Sequence, residues 1–225
     1  MSRKSGPKQA LFEQLARVAR ALGSAARLEL LDYLAQGERS VDSLAGISGL
    51  SVANTSKHLQ QLRQAGLVLA RKEGLHVYYR MSGGDVLEAI FSLRGLAESR
   101  LAEVDRLVAS YLSSKDDMEP LAADELMARL KDDLVTILDV RPPEEFAQGH
   151  LPEALNIPLS ELQKHLGDLP GDREVIAYCR GPWCVLSFEA VAELRKRGFK
   201  ARRLEGGLPE WRSDGRPVVA SGRSR

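Results

Sequence analysis

Residues 51–68 read SVANTSKHLQQLRQAGLV, and this stretch decides the fold of the first half of the chain. Ser51 is a suitable N-cap for a helix that runs to Ala65, and Gly66 is placed to end it as the C′ glycine. On this helix one face is expected to pack inward, and it carries Val52, Thr55, Leu59 and Leu62. The spacing therefore predicts a half-buried helix of about four turns.

The opposite face of the same helix is polar. Side-chain amides and bases there can hydrogen-bond base edges and phosphates in the major groove of DNA. The candidate DNA-binding residues on this helix are Ser51, Asn54, Ser56, Lys57, His58 and Gln61. Arg71 and Lys72, predicted at the tip of a hairpin, can reach backbone phosphates. An exposed polar face without any DNA partner would show the same pattern, so the pattern alone leaves both interpretations open.

The segments around this helix extend the prediction. Apolar residues at helical spacing predict helices over 10–22, 25–35 and 42–48, and a long helix over 85–112. Residues 67–71 and 75–80 predict two strands around a turn at residues 72–74. Two helices joined by a tight turn and followed by a hairpin indicate a mainly α winged helix-turn-helix.

The pattern changes after residue 112. A polar linker over 113–119 is followed by predicted helices at 122–130 and 185–197 and by apolar strands at 135–140, 174–178 and 200–204. Continuous apolar strands that alternate with helices predict an α/β domain with a parallel sheet covered on both faces. The sequence therefore predicts two domains, over residues 1–112 and 120–225.

Composition and charge indicate which broad class of protein this chain belongs to. The 225 residues carry a net charge of +1, with 44% hydrophobic and 28% charged residues, which is typical of a globular protein. Residues 1–112 have a net charge of +4 and the remainder −3, so the two halves are expected to meet different partners. No apolar run long enough to span a membrane and no secretory leader is found, and the two cysteines fit a reducing cytoplasm.

Both cysteines lie in one short segment, CRGPWC at residues 179–184, between an apolar strand and a helix. Backbone N–H groups at a helix N-terminus stabilise anions, so Cys179 is expected to have a lowered pKa and to react as a thiolate. Arg180 adds positive charge. The alternative is that both cysteines are inert, buried apolar residues.

The first half resembles the ArsR/SmtB family of bacterial repressors, through residues 20–31 (RALGSAARLELL), 51–68 and 74–80 (GLHVYYR). The resemblance implies a homodimer on a roughly palindromic double-stranded operator, with helix 85–112 at the dimer interface. A helix packed on its own domain would have the same apolar spacing. The clustered Cys, His and Asp ligands of the metal-sensing members are missing here, so we expect no metal and no cofactor.

The second half is similar to a single rhodanese domain, the sulfurtransferase fold. The matching stretches are LDVRPPEEF at 138–146, GHLPEALNIP at 149–158 and LEGGLPEW at 204–211. The resemblance places the catalytic nucleophile at Cys179 and implies that Asp139 and Arg141 support the site, although an Asp-x-Arg at a strand end can simply anchor a loop. The six-residue loop is the length found in sulfur-handling rhodaneses, whereas the related phosphatases and arsenate reductases have a loop one residue longer.

Cys184 stands where many rhodaneses have their last loop arginine. Losing that cation weakens recognition of thiosulfate, and a second thiol can instead resolve a persulfide on Cys179. We therefore expect a transcriptional repressor that reacts with a small sulfur donor such as thiosulfate or a persulfide. The residues expected to form its reactive site are Cys179, Cys184, Arg180, Asp139 and Arg141. The alternatives are a working sulfurtransferase with an autoregulatory DNA-binding domain and an inert interaction module.

Overall fold

The computed structural model describes residues 6–113 and 119–220, and for residues 111–113 only the backbone. The chain divides into two compact units, Met1–Ile90 and Phe91–Arg225. The predicted linker over 113–119 stays a prediction, because residues 114–118 lie outside the described part of the chain.

The first unit has the element order of a winged helix-turn-helix. Its elements are α1 Pro7–Leu22, α2 Ala25–Gln36, β1 Arg39–Ser40, α3 Val41–Ser48, α4 Val52–Gln64, β2 Val68–Glu73, β3 His76–Met81 and the first turns of α5 Gly84–Arg100. The strands form an antiparallel sheet in the order β1-β3-β2. The predicted helices and hairpin are confirmed, and the short β1 is an addition.

Helix α4 is held in place by its caps and by one apolar face. The Ser51 side chain accepts a hydrogen bond from the Asn54 N–H at 3.3 Å, and Gly66 takes a left-handed φ of +78° just after the helix. Thr55, Leu59 and Leu62 are fully buried. The prediction for Val52 was wrong, since 51% of this residue is exposed. As the first residue of α4, it lies at the helix end, outside the core that its neighbours enter.

The predicted long helix over 85–112 is interrupted. Helix α5 ends at Arg100, Leu101 is extended with φ −113° and ψ 97°, and α6 follows over Ala102–Leu107. The backbone continues as a π-helical segment over Val108–Ser113. The apolar spacing of three and four residues continues across Leu101, so periodicity alone could not reveal a single extended residue.

The second unit contains a parallel sheet, which confirms the predicted α/β domain. Its strands are β4 Val135–Asp139, β5 Leu155–Asn156, β6 Glu174–Tyr178 and β7 Ala201–Arg203, in the order β5-β4-β6-β7. The helices are α7 Ala123–Lys131, α8 Pro143–Gln148, α9 Val185–Lys196 and α10 Leu208–Ser213. Short 3₁₀ segments cover Leu159–Lys164 and Leu166–Asp168.

Both faces of this sheet are buried. In β6, Val175 and Ala177 enter one apolar cluster with α9, whereas Ile176 and Tyr178 enter another with Trp211 of α10. This alternation follows from the two-residue period of a strand, and it places Cys179, the next residue, in the α9 cluster. None of the helices in the described residues is long and apolar enough to cross a membrane.

Candidate functional site

The candidate site lies at the carboxyl end of β6, in the middle of the parallel sheet. Cys179 directly follows β6, and Cys184 is the N-cap residue of α9. Both cysteines are free thiols, but Cys179 is completely buried and Cys184 is half-buried. Ligands of open α/β sheets bind at this edge, beyond the carboxyl ends of the strands.

The surroundings of Cys179 keep its thiol protonated. Its Sγ lies 3.3 Å from Ser187 Oγ, 3.5 Å from the Cys184 carbonyl oxygen and 3.8 Å from the Gly181 carbonyl oxygen. Burial, together with the hydrogen bond to Cys184, raises the pKa of Cys179 well above its ordinary value. The expectation that Cys179 has a lowered pKa was therefore wrong, because complete burial outweighs the donors near it.

Cys184 has the properties that the sequence predicted for Cys179. The hydrogen bond from the Cys179 thiol lowers the pKa of Cys184 to about 7, against the opposing effect of burial. The backbone N–H groups of Arg180 and Leu186 also donate hydrogen bonds to the Cys184 sulfur and lower this pKa further. Hydrogen-bond donors reach both sulfur atoms, but only at Cys184 do they outweigh the effect of burial.

The two cysteines also influence each other's protonation, since each is the other's hydrogen-bond partner. A disulfide between two cysteines of one short loop requires their Cα atoms to lie within about 7 Å of each other. In the structure the Cys179 sulfur lies 3.5 Å from the carbonyl oxygen of Cys184, and the interaction of the two side chains raises the pKa of Cys179 and lowers that of Cys184. The pair is arranged for exchange between a thiol and a thiolate.

The start of α10 packs against the backbone of the loop at residues 179–184. An added Cβ on Gly207 would lie 2.5 Å from the Cys179 carbonyl oxygen and 2.5 Å from the Gly181 nitrogen, so only glycine fits there. The Leu208 N–H donates to the Cys179 carbonyl oxygen at 3.2 Å. Glu210 accepts from the Gly207 N–H at 2.9 Å and from Arg94 at 2.9 Å. These contacts hold the loop backbone in one position.

Arg180 is paired rather than directed at a substrate site. Its guanidinium donates to both carboxylate oxygens of Glu145, at 2.7–3.1 Å, and Glu145 is 1% exposed. Such a bidentate pair compensates the positive charge that Arg180 brings to the loop. The site has correspondingly less attraction for a doubly charged anion.

Asp139 and Arg141 form a fully buried ion pair beside the loop. Arg141 donates to Asp139 at 2.5 Å and to the Gly149 carbonyl oxygen at 2.8 Å, and the Tyr178 hydroxyl donates to Asp139 at 2.5 Å. Burial and the nearby Asp139 charge raise the pKa of Tyr178. The network ties the ends of β4 and β6 to the loop that begins at Gly149, which is the geometry of an anchor.

The DNA-facing residues predicted on α4 lie as follows. Asn54 and Lys57 are exposed, whereas Ser56 and His58 are half-buried. The His58 Nδ1 atom is buried, with no hydrogen-bond partner in the described part of the chain. Gln61 is exposed, and its side-chain oxygen accepts from Arg27 at 2.7 Å. Asn54 and Lys57 thus present their polar groups to solvent most directly.

On the hairpin, Arg71 and Lys72 lie before the tip, because β2 continues to Glu73 and the turn falls at Gly74. The predicted position of Arg71 and Lys72 at the tip was therefore wrong, because β2 extends two residues further than predicted. Arg71 forms ion pairs with Glu38, at 2.6 Å, and with Glu73, and it lies over the Tyr78 ring. Lys72 is exposed.

Three residues of the site were not singled out from the sequence. Glu145 lies within the quoted 138–146 stretch, and its pairing with Arg180 carries no local signal. Ser187, in the first turn of α9, and Gly207, the residue before α10, contact the loop. No group of three or more His, Cys, Asp or Glu side chains suited to a metal ion occurs among the residues that the structure describes.

Fold and site together define a protein with a winged helix-turn-helix and a rhodanese-like domain. The family model "Bacterial regulatory protein, arsR family" matches residues 24–69, and the model "Rhodanese-like domain" matches residues 122–214. The "HTH-type transcriptional regulator Rv0324" of Mycobacterium tuberculosis is 44% identical over 218 residues, 97% of this chain and 96% of that protein. The chain belongs to the ArsR family of transcriptional regulators and carries a rhodanese-like domain.

Two further relatives each match one part. A "Sulfurtransferase" of Allochromatium vinosum is 36% identical over 100 residues, 44% of this chain and 92% of that protein. The "Probable mercury resistance operon repressor" of Streptomyces lividans is 33% identical over 90 residues, 40% of this chain and 72% of that protein.

Proposed function

We propose that this regulator is a homodimeric repressor whose rhodanese-like domain takes up sulfane sulfur at the Cys179–Cys184 loop and thereby loses affinity for its operator. The observation that carries the proposal is the pair of hydrogen-bonded free thiols in one loop, held on a chain that belongs to a family of transcriptional regulators. A 33% identical relative named as an operon repressor supports the direction of the effect.

The polar face of α4 supports binding to operator DNA. Its exposed Asn54 can read base edges, and the exposed Lys57 can neutralise a phosphate. The arginine on the hairpin is already paired with two carboxylates, so a phosphate contact by Arg71 requires that it exchange partners. Lys72, which is exposed beside it, is the more direct phosphate contact.

Exposed apolar residues support the homodimer. On α1, Leu11, Phe12 and Leu15 are each more than half exposed. In the second unit Leu96 of α5 is 56% exposed, and Leu101, just after α5, is also half exposed. Apolar residues clustered in this way mark surfaces that another chain covers, and the resemblance to the ArsR family makes a second copy of this chain the expected partner.

Lys57→Ala is expected to weaken operator binding at every operator sequence and to lower the slope of log K against log salt by about 1, because one phosphate contact is lost. The measurement is a salt titration of binding to an operator selected from random duplexes with the wild-type protein. Lys196→Ala is the matched control, since it removes an exposed lysine from α9 of the other unit. An unchanged slope in Lys57→Ala would remove this residue from the interface.

The sulfur donor that the loop favours is a small hydropersulfide rather than thiosulfate. Arg180 is paired with Glu145, and Cys184 occupies the position of a cation in many rhodaneses, so a doubly charged donor finds little compensating charge. The test of the proposed function is operator binding by the full-length protein before and after treatment with a hydropersulfide.

A second candidate function is catalytic turnover by the rhodanese-like domain, with the DNA-binding domain controlling the protein's own gene. The position of Cys179 at the end of β6 and the 36% identity to a protein named as a sulfurtransferase favour it. Steady release of product from thiosulfate and an acceptor, independent of DNA, distinguishes this function from a response that stops after one oxidation.

A further inference from the structure

Helix α5 carries residues of both compact units. Its first turns pack in the apolar cluster of the winged helix-turn-helix, where Val86 is buried and Ile90 is partly buried. Arg94 follows one helical turn later and belongs to the second unit, as does its ion-pair partner Glu210. Because the same hydrogen-bonded helix of 17 residues carries all three α5 side chains, a displacement of Arg94 acts on Val86 and Ile90 through its backbone.

The Arg94–Glu210 pair lies directly against the reactive loop. Arg94 Nη2 lies 2.9 Å from Glu210 Oε1, and each of the two side chains is only 21% exposed. The other carboxylate oxygen, Oε2, accepts a hydrogen bond from the Gly207 N–H at 2.9 Å. A Cβ added to Gly181 of the loop would lie 3.6 Å from Glu210 Oε1 and 4.0 Å from Arg94 Nη1, which is van der Waals contact. A shift of the loop backbone therefore reaches the ion pair directly.

The loop has little room for another sulfur atom. Cys179 is completely buried, and its Sγ lies 3.3 Å from Ser187 Oγ and 3.5 Å from the Cys184 carbonyl oxygen. Gly207 confines the loop backbone as well, since an added Cβ there would lie 2.5 Å from the Cys179 carbonyl oxygen and 2.5 Å from the Gly181 nitrogen. Atoms added to a close-packed site displace their neighbours. A persulfide on Cys179 is therefore expected to shift the loop backbone together with Gly207.

We propose that the Arg94–Glu210 ion pair couples the reactive loop to α5, and that a sulfur atom added to Cys179 breaks this pair and releases α5 from the position in which the protein binds its operator. This coupling rests on the proposed function, since it states how sulfur uptake at the loop reaches the DNA-binding unit. Arg94 and Glu210 are positioning residues, because they act through the loop and through α5.

The pair is broken after a single transfer of sulfur. The Cys179 sulfur attacks the outer sulfur of a hydropersulfide, R–S–SH, the S–S bond of the donor breaks, and R–S⁻ leaves with the electron pair and takes up the thiol proton of Cys179. The products are Cys179–S–SH and R–SH, and no other reactant is consumed. The added sulfur displaces the loop together with Gly207, and the Glu210 carboxylate, hydrogen-bonded to the Gly207 N–H, is drawn away from Arg94.

The operator affinity of full-length variants, before and after glutathione hydropersulfide at one fixed salt concentration, tests this link. Arg94→Gln removes the cation, whereas Glu210→Gln removes the negative charge and keeps an oxygen for the Gly207 N–H. Both variants are expected to bind the operator at least about fivefold more weakly than the wild type before treatment, and to lose less than about twofold more after it. Arg94→Lys, which keeps the positive charge, is expected to retain most of the wild-type response.

Two controls separate loss of the link from other effects. Arg106→Gln removes an exposed arginine of α6 that pairs with Glu103 at 2.9 Å, and it is expected to respond like the wild type. Intact mass is expected to show the same change in each treated variant as in the treated wild type, so that a missing response does not reflect a missing reaction. The affinity before treatment tests the link without any reaction at the loop.

Operator affinity and response equal to the wild type in both Arg94→Gln and Glu210→Gln would overturn the coupling and leave the proposed function standing. Weaker binding by only one of the two variants also overturns it, because that result assigns the effect to one side chain and not to the pair. A wild type that reacts completely and keeps its operator affinity overturns both the coupling and the proposed function.

Discussion

Asp139→Ala is expected to destabilise the rhodanese-like domain by about 3–5 kcal/mol, because it leaves the charge of a buried arginine without its partner. Asp139 and Arg141 are both completely buried, and Arg141 donates to Asp139 through its backbone N–H, Nε and Nη2. The loss is measured by urea unfolding followed by tryptophan fluorescence. Both tryptophans of the chain, Trp183 and Trp211, lie in the second unit, so the signal reports on this domain alone.

The matched control for this prediction is Asp168→Ala. Asp168 also pairs with a basic side chain, His165 at 2.7 Å, but its side chain is 68% exposed. Exposed ion pairs contribute about 0–1 kcal/mol, so this variant is expected to unfold close to the wild type. A loss below about 1 kcal/mol in Asp139→Ala as well would contradict the anchoring role of the buried pair.

Cys184→Arg is expected to raise the rate of sulfur transfer from thiosulfate by about ten- to a hundredfold. A hydrogen bond to a charged group contributes about 1.5–3 kcal/mol, and the substitution supplies such a donor at the position where many rhodaneses have one. The rate is measured with thiosulfate as donor and cyanide as acceptor. The effect is expected to be large because the charge of Arg180, the arginine already in the loop, is compensated by Glu145, so the new arginine would add positive charge for the thiosulfate anion.

Cys184→Ser is the control, since it removes the thiol without adding a cation, and it is expected to show no gain with thiosulfate. A wild type that turns over thiosulfate as fast as Cys184→Arg would contradict the account of the loop charge. That result would favour the working sulfurtransferase over the regulator that responds to sulfur.

The fold followed from the sequence wherever one strong local signal decided an element. Ser51 and Gly66 bound α4 because a cap and a left-handed glycine act through the adjacent backbone alone. The apolar run Glu174–Tyr178 predicted a strand of the parallel sheet at the observed residues. The break at Leu101 was missed, since apolar spacing averages over several residues and does not register one extended residue.

The site was only partly predictable, and the reason is tertiary. Both cysteines were identified from their position between a strand and a helix, but their roles depend on which sulfur the backbone N–H groups reach. The orientation of these N–H groups depends on the close approach of Gly207 to the loop and on the packing of Cys179 into the apolar cluster beside α9. Similarly, the Glu145–Arg180 pair joins residues 35 positions apart, and no local pattern predicts it.

The central claim is that sulfur chemistry at the two cysteines controls DNA binding. Its most direct test is the operator affinity of the full-length wild type, Cys179→Ser and Cys184→Ser at one fixed salt concentration, before and after glutathione hydropersulfide. We expect the affinity of the wild type to fall about 5- to 150-fold, the range of a coupling free energy of 1–3 kcal/mol, and the affinities of both variants to stay unchanged. An unchanged wild type that mass analysis shows to be fully oxidised would contradict the claim.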